Sequence, residues 1–184
     1  MRKIAFAAPA LAALLLAAPA SADEFLDSLD LAREAYQAGD LAGAKEEMDY
    51  ASQLLAQMRM QSLSAILPDA MEGWTRRDDD GGGGFAGGIT VAADYMKGNE
   101  RLNIQISVDS PMVATMSMMM GNAAAMAAQG EMKRIGRQKV IVTKRGEIQT
   151  VIDNHILIQM TGNAPEDVKE AYFKAIDMRA LKNF

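Results

Sequence analysis

The chain has 184 residues, of which 49% are hydrophobic and 5% aromatic, and it carries a formal net charge of −5 with no cysteine. This acidic balance argues against nucleic-acid binding, which depends on basic contacts to phosphates. The lack of cysteine excludes disulfides and thiolate metal sites, so the fold rests on its hydrophobic core.

The first 22 residues predict a cleaved signal peptide. Arg2 and Lys3 precede an apolar run at residues 4–19, and residues 20–22 form an A-x-A cleavage site. The run is shorter than the roughly 20 residues that span a bilayer, and no later segment is apolar enough to do so. We therefore expect export to the bacterial periplasm, a mature chain beginning at Asp23, and no transmembrane segment after cleavage.

Residues 23–67 predict two helices packed as a hairpin. Apolar residues recur every three or four positions in both segments, as on one face of a helix. Gly39 suits the C-terminus of the first helix, and Asp40 suits the N-cap of the second. The periodic residues are Phe25, Leu29, Ala32 and Tyr36 in the first segment and Leu41, Ala44, Met48, Ala51, Leu55 and Met58 in the second.

Residues 32–55, "AREAYQAGDLAGAKEEMDYASQLL", combine an aromatic position, a turn and small residues where paired helices touch. The positions concerned are Ala35, Tyr36, Gly39, Asp40, Ala44 and Ala51. The segment resembles one tetratricopeptide-type repeat. Stacked arrays need about three repeats and no second copy follows, so the resemblance implies a lone hairpin. Its apolar seam must dock on the rest of the chain, on a second copy or on a partner.

Residues 68–184 predict a mostly antiparallel sheet with two packed helices. Alternating apolar positions predict a short strand carrying Trp74, strands at 88–96 and 101–108, and a meander over residues 132–162. The turns of the meander fall at Gly136, Gly146, Asp153 and Asn154. A last helix begins at Pro165, with Val168, Tyr172 and either Ile176 or Phe173 inward.

The order of these elements defines an α+β fold. An N-terminal α-helical hairpin is followed by a mostly antiparallel β-sheet domain with two packed helices. This overall plan resembles small proteobacterial periplasmic proteins of unknown function. The resemblance lies in the plan and in no specific motif.

Residues 112–132 contain seven of the fifteen methionines. On a helical wheel Met112, Met116, Met119, Met120 and Met126 share an arc of about 120°, which predicts a buried amphipathic helix filled by adaptable side chains. Two alternatives remain if this face is exposed. Thioethers of Met116, Met119 and Met120 suit Cu(I), and an exposed methionine surface suits a partner or an apolar ligand.

Six cations fall within thirteen residues of the predicted meander. Charged side chains on an edge strand prevent unwanted sheet pairing, which is the simplest interpretation. The alternative is a docking surface for an acidic partner, for anionic lipid or for the protein's own acidic hairpin. The six residues are Lys133, Arg134, Arg137, Lys139, Lys144 and Arg145.

Three further motifs favour no specific chemistry. Gly82, Gly84 and Gly87 match G-x-G-x-x-G, but a strand pattern follows them where a dinucleotide site needs a helix, so we predict a hairpin loop. The consecutive aspartates at 78–80 lack the alternating ligands of a calcium loop. His155 is the only histidine, which excludes histidine clusters and catalytic triads.

We therefore expect a non-catalytic exported envelope protein that binds or scaffolds other proteins, without a cofactor. Its partner would be another envelope protein or a second copy of the chain. The first alternative is a methionine-rich Cu(I)-binding protein. The second is an enzyme that uses a carboxylate pair in a groove between hairpin and sheet near Trp74.

Overall fold

The structure, a computed structural model, describes residues 20–79, 84–85, 88–121 and 129–184, with the side chains of 20–22 and 84–85 left out. Residues 1–19 of the predicted signal peptide and Met126 lie outside these ranges. Within the described ranges, no helix combines the length and the apolar character needed to cross a bilayer. The chain divides into two compact units, one ending at Leu54 and the other running from Leu55 to Phe184.

The fold is α+β, which confirms the predicted class. The helices of the described residues are α1 (Ala20–Gln37), α2 (Leu41–Ser64), α3 (Pro111–Met120), α4 (Glu166–Ala175) and α5 (Met178–Lys182). The strands of the same residues are β1 (Thr75–Asp78), β2 (Gly84–Phe85), β3 (Gly88–Lys97), β4 (Glu100–Val108), β5 (Gly130–Ile135), β6 (Gln138–Thr143), β7 (Ile148–Ile152) and β8 (Ile156–Thr161).

The turn between α1 and α2 uses the predicted capping residues. The N–H of Asp40 donates to the carbonyl of Ala35 at 2.9 Å, and that of Gly39 donates to Tyr36 at 3.1 Å. This is the Schellman arrangement, in which Gly39 adopts a left-handed φ of 80° without strain. Oδ1 of Asp40 then accepts from the N–H of Gly43 at 2.9 Å and caps α2. Local sequence therefore determines this turn.

Small side chains fill the interior of the first unit. The buried residues are Ser28 and Ala32 on α1 and Ala44, Ala51 and Leu54 on α2. Small side chains let two helices approach closely, but they remove little apolar area from water. The described part of the first unit, residues 23–54, therefore gains little hydrophobic stabilisation from its own interior.

The second unit is built on one antiparallel sheet of the order β1-β3-β4-β8-β7-β6-β5, with β2 also paired to β3. Strands β5 to β8 follow one another as neighbours, which confirms the predicted meander. Asp153 and Asn154 both have positive φ values, 49° and 62°, a left-handed backbone conformation that Asp and Asn tolerate in the tight turn between β7 and β8.

Helices α4 and α5 and the end of α2 supply side chains to the core on one face of the sheet. Alternate residues of each strand point to this face, as the period of two requires. The buried residues of this core include Tyr95, Leu102, Ile104, Ile106, Val140, Ile148, Ile156, Ile158, Met160 from the strands and Leu63, Tyr172, Phe173, Leu181 from the helices. Within α4 the buried apolar residues are Tyr172 and Phe173, and Val168 is partly buried.

Trp74 directly precedes β1 and belongs to an aromatic cluster. Its ring meets Tyr172 edge-on at 5.8 Å between centroids, and Tyr172 meets Tyr95 at 4.6 Å. The hydroxyl of Tyr95 donates to the carbonyl of Pro68 at 2.6 Å, and that of Tyr172 accepts from the N–H of Met71 at 3.0 Å. Trp74 is therefore buried beside aromatic side chains, and the carboxylate-groove hypothesis stays a prediction.

Candidate binding sites

The six cations of the meander lie at four separate places. Lys133, on the edge strand β5, is paired with Glu166 at 2.6 Å, and this hydrogen bond raises the pKa of Lys133. Arg134 and Lys139 are cross-strand partners on the sheet face opposite the core. An edge strand with lysine and arginine matches the interpretation of protection against sheet pairing.

The remaining cations occupy the two ends of β6. Lys144 and Arg145 lie in the turn between β6 and β7, and Arg137 lies in the turn between β5 and β6. Because these turns close opposite ends of one strand, they cannot contribute to one site. The sequence cluster is therefore not a single surface.

Arg137 is instead joined by cations from the C-terminal helices. A cavity of about 540 Å³ is lined by Arg137, by Lys174 of α4 and by Arg179 and Lys182 of α5. We call this cavity the basic pocket. Sequence reasoning missed its last three cations, because the last twenty residues carry as many acidic as basic side chains and form no basic cluster in the sequence. The packing of α4 and α5 against the sheet brings them to Arg137.

The cations of the basic pocket are only partly neutralised. Lys174 is paired with Glu170 at 3.3 Å and Lys182 with Asp153 at 3.4 Å, but neither carboxylate lines the cavity. Among the described residues, no acidic side chain lies within 4.0 Å of the guanidinium group of Arg137 or Arg179. Two arginines therefore keep their bidentate donors available.

The floor of the basic pocket is apolar. Ile135 and Phe173 are buried residues of the core, and Met178 is partly buried against it. Asp177 caps α5 by accepting from the backbone N–H groups of Ala180 and Arg179, and these bonds lower the pKa of Asp177. The cap fixes the start of the helix that carries Met178 and Arg179.

One face of the helical hairpin in the first unit is apolar and exposed. Tyr36 is 68% exposed and Met48 is 58% exposed. Leu29 and Tyr36 are seven residues apart on α1, and Leu41 and Met48 are seven apart on α2, so each pair lies within about 20° on its helix. Because α1 and α2 form a hairpin and run in opposite directions, the Leu29–Tyr36 pair of α1 and the Leu41–Met48 pair of α2 lie on the same side of the surface where the two helices meet. We call Leu26, Leu29, Tyr36, Leu41 and Met48 the apolar hairpin face.

The other face of the hairpin is acidic. Its groove, of about 750 Å³, is lined on α1 by Glu24, Asp27 and Leu31 among others, and on α2 by Glu46 and Tyr50 among others. The hydroxyl of Tyr50 donates to Glu24, and this hydrogen bond raises the pKa of Tyr50. Among the described residues, no three acidic or histidine side chains are grouped so as to hold a metal ion.

The methionines of α3 do not form the predicted buried face. Val113 is the buried residue of this helix, Met112 is 50% exposed, and Met116, Met119 and Met120 are only half-buried. The prediction of an inward Met112 is wrong, because the buried position belongs to Val113, and adjacent side chains of a helix point about 100° apart. The Sδ atom of Met119 accepts a contact from Nε2 of Gln129 at 3.1 Å. The Cu(I) hypothesis for these three residues stays a prediction.

The remaining sequence motifs are the glycine-rich stretch, the aspartates that begin at Asp78, and His155. β3 follows the glycine-rich stretch, so a strand stands where a dinucleotide site needs a helix; of that stretch, residues 80–83 and 86–87 lie outside the described ranges. Asp78 accepts from Nε of Arg76 at 2.7 Å. His155 lies at the β7–β8 turn, partly exposed, with Nδ1 at 3.0 Å from the carbonyl oxygen of Asp153.

Comparison with known proteins identifies no relative: no protein-family description, no curated protein and no solved structure matches this chain.

Proposed function

We propose that the protein is a non-catalytic, exported envelope protein that works by protein–protein association through the apolar hairpin face. The observation that supports this function is the exposure of that face. Large apolar side chains point away from a hairpin interior that contains mostly alanine and serine. An apolar patch of several large side chains on a folded unit marks an interaction surface.

The occupant that we propose is the same face of a second copy. Exposed residues recur at seven-residue spacing on both helices, which is the spacing of side chains that interlock between packed helices. Two copies related by a two-fold axis present identical patterns to each other, as an isologous interface requires. The resulting four-helix arrangement buries the large side chains that one hairpin leaves in water.

Sedimentation analysis of the mature chain at micromolar concentrations tests this association. The wild-type protein should sediment as a dimer, and Leu29→Glu combined with Met48→Glu should convert it to a monomer, because buried unpaired carboxylates are costly. Leu31→Glu is the matched control. Leu31 is 50% exposed but lies about 200° from Leu29 on α1, so this variant should remain a dimer.

Two results would contradict the proposed association. One is a wild-type protein that stays monomeric at every concentration. The other is a control variant that dissociates as fully as the double variant, since general acidity of the hairpin would then explain the effect. If the wild-type protein is a monomer and binds a different envelope protein through Leu29 and Met48, then that protein, and not a second copy, is the partner of the apolar hairpin face.

The proposed export has its own test. Expression of the full chain in a Gram-negative host should place the protein in the periplasmic fraction, with a mass that corresponds to an N-terminus at Asp23. Full-length protein in the cytoplasmic fraction would contradict it. This experiment is independent of the dimer measurement, because sedimentation uses the purified mature chain.

A further inference from the structure

We infer that the basic pocket binds an amphipathic anion, in which Arg137 and Arg179 hold an acidic head group and the partly buried Met178 supports a short apolar chain. This inference does not depend on the proposed association, since the pocket lies entirely within the second unit. The ligand class follows from charge, shape and lining.

Charge is the first argument. Four cations line one cavity in a chain whose formal net charge is −5, and none of the lining residues is a carboxylate. Like charges held together repel each other, and a concave surface of one sign concentrates counter-ions. An anion in the cavity relieves this repulsion. Arg137 and Arg179 offer planar pairs of donors that match the oxygens of a phosphate or a carboxylate.

Shape is the second argument. The cavity volume, about 540 Å³, falls within the range of small-molecule sites. A concave pocket of this size suits a small molecule better than a flat protein surface. It lies between the β5–β6 turn and helices α4 and α5, so its walls are regular elements and a tight turn.

The lining is the third argument. A site for a bare inorganic anion is polar throughout, whereas this cavity is also lined by Met178 and by the buried Ile135 and Phe173. Methionine is flexible and adapts to irregular apolar groups. Cations at the rim and apolar side chains at the floor together select a ligand with a charged head and an apolar tail.

Decyl phosphate, kept below its micelle concentration, is the probe for this site. Calorimetric titration of the mature protein should show saturable binding of one molecule per chain, with a shift of the Met178 methyl signal in a methyl-labelled sample. Inorganic phosphate should bind at least about tenfold more weakly, because it lacks the apolar chain, and uncharged decyl maltoside should not bind.

Arg137→Glu combined with Arg179→Glu should weaken the binding of decyl phosphate at least tenfold, as expected for loss of two charge-assisted contacts. Arg134→Glu combined with Lys139→Glu is the matched control, since it makes the same change of charge on the opposite face of the sheet and should leave affinity within about twofold. If charge reversal at the pocket prevents folding, the glutamine double variant at 137 and 179 replaces it and should show the same loss.

Three outcomes would overturn the inference. They are an absence of saturable binding, equal losses in the pocket variant and the control variant, and equal binding of decyl maltoside. A binding assay with phosphatidylglycerol vesicles distinguishes a free amphiphile from a membrane as the ligand. If the protein binds the vesicles but not monomeric decyl phosphate, the inferred pocket is wrong, and the cations form a basic surface that faces a membrane.

Discussion

Lys169 of α4 donates a hydrogen bond of 2.7 Å from Nζ to the carbonyl oxygen of Gly146, in the turn between β6 and β7. A second bond of 2.8 Å reaches the carbonyl of Gly162, just after β8. Lys169 is only 3% exposed, and burial lowers the pKa of its amine below the ordinary value of a lysine. One buried amine therefore ties a helix to the chain segments at the ends of two strands.

Lys169→Met should lower the free energy of unfolding by about 2–4 kcal/mol, because it leaves two carbonyl groups without donors. Lys174→Met, at an exposed position of the same helix, is the control and should cost less than about 0.5 kcal/mol. Urea denaturation of both variants measures the difference. Equal stabilities of the two variants would show that the Lys169 bonds contribute nothing.

The lowered pKa of Lys169 also predicts a pH dependence. Between that lowered pKa and the ordinary value, the unfolded chain binds more protons than the folded chain, so this residue makes stability rise with pH. The stability of the wild type relative to Lys169→Met should therefore increase as the pH approaches about 10.5. A difference that stays constant or falls over this interval would contradict the linkage.

The raised pKa of Tyr95 leads to the opposite prediction at higher pH, namely that stability falls as the pH rises. Burial raises the pKa of its hydroxyl, so the unfolded chain releases this proton before the folded chain does. Stability should fall as the pH rises above about 10, the ordinary value for tyrosine. Tyr95→Phe should reduce this slope. Ile106→Val, a core change that costs about 1 kcal/mol and keeps every tyrosine, should leave the slope unchanged.

Arg76 is expected to stabilise the end of α2. Its guanidinium group donates to the carbonyl of Leu67 at 2.9 Å and to that of Ser64 at 3.2 Å, and its side chain is 18% exposed. Arg76→Met keeps the aliphatic stem but removes these donors, which should cost about 1.5–3 kcal/mol. Arg77→Met, at a side chain that is 72% exposed, should cost no more than about 1 kcal/mol. Thermal unfolding measures the stability of both variants. A comparable loss of stability in the two variants would contradict this role of Arg76.

The half-buried methionines of α3 lead to a test of the Cu(I) hypothesis. Val113 is the buried residue of the helix, and the sulfur of Met119 already contacts Gln129. If these methionines serve packing alone, the mature protein should take up no stoichiometric Cu(I), and stability should change by less than about 1.5 kcal/mol when Met116, Met119 and Met120 become leucine. Uptake of one Cu(I) per chain that is lost in the triple variant would establish the metal site instead.

Local sequence patterns were enough to predict the class of fold and most of the turns. The Gly39–Asp40 cap, the Asp153–Asn154 hairpin and the meander all follow from residue preferences that act over a few positions. The phase of α3 was not predictable in this way. Met112 and Val113 are both apolar, and only the sheet surface against which the helix packs decides which of them points inward.

The candidate sites also depend partly on local sequence and partly on tertiary packing. The sequence by itself determined the acidic charge, the absence of cysteine and the apolar periodicity of the first two helices. Only the tertiary structure separated the six clustered cations and assembled Arg137 with Lys174, Arg179 and Lys182. The physical reason is that charge along a chain is a local property, whereas a pocket depends on packing between segments that are distant in sequence.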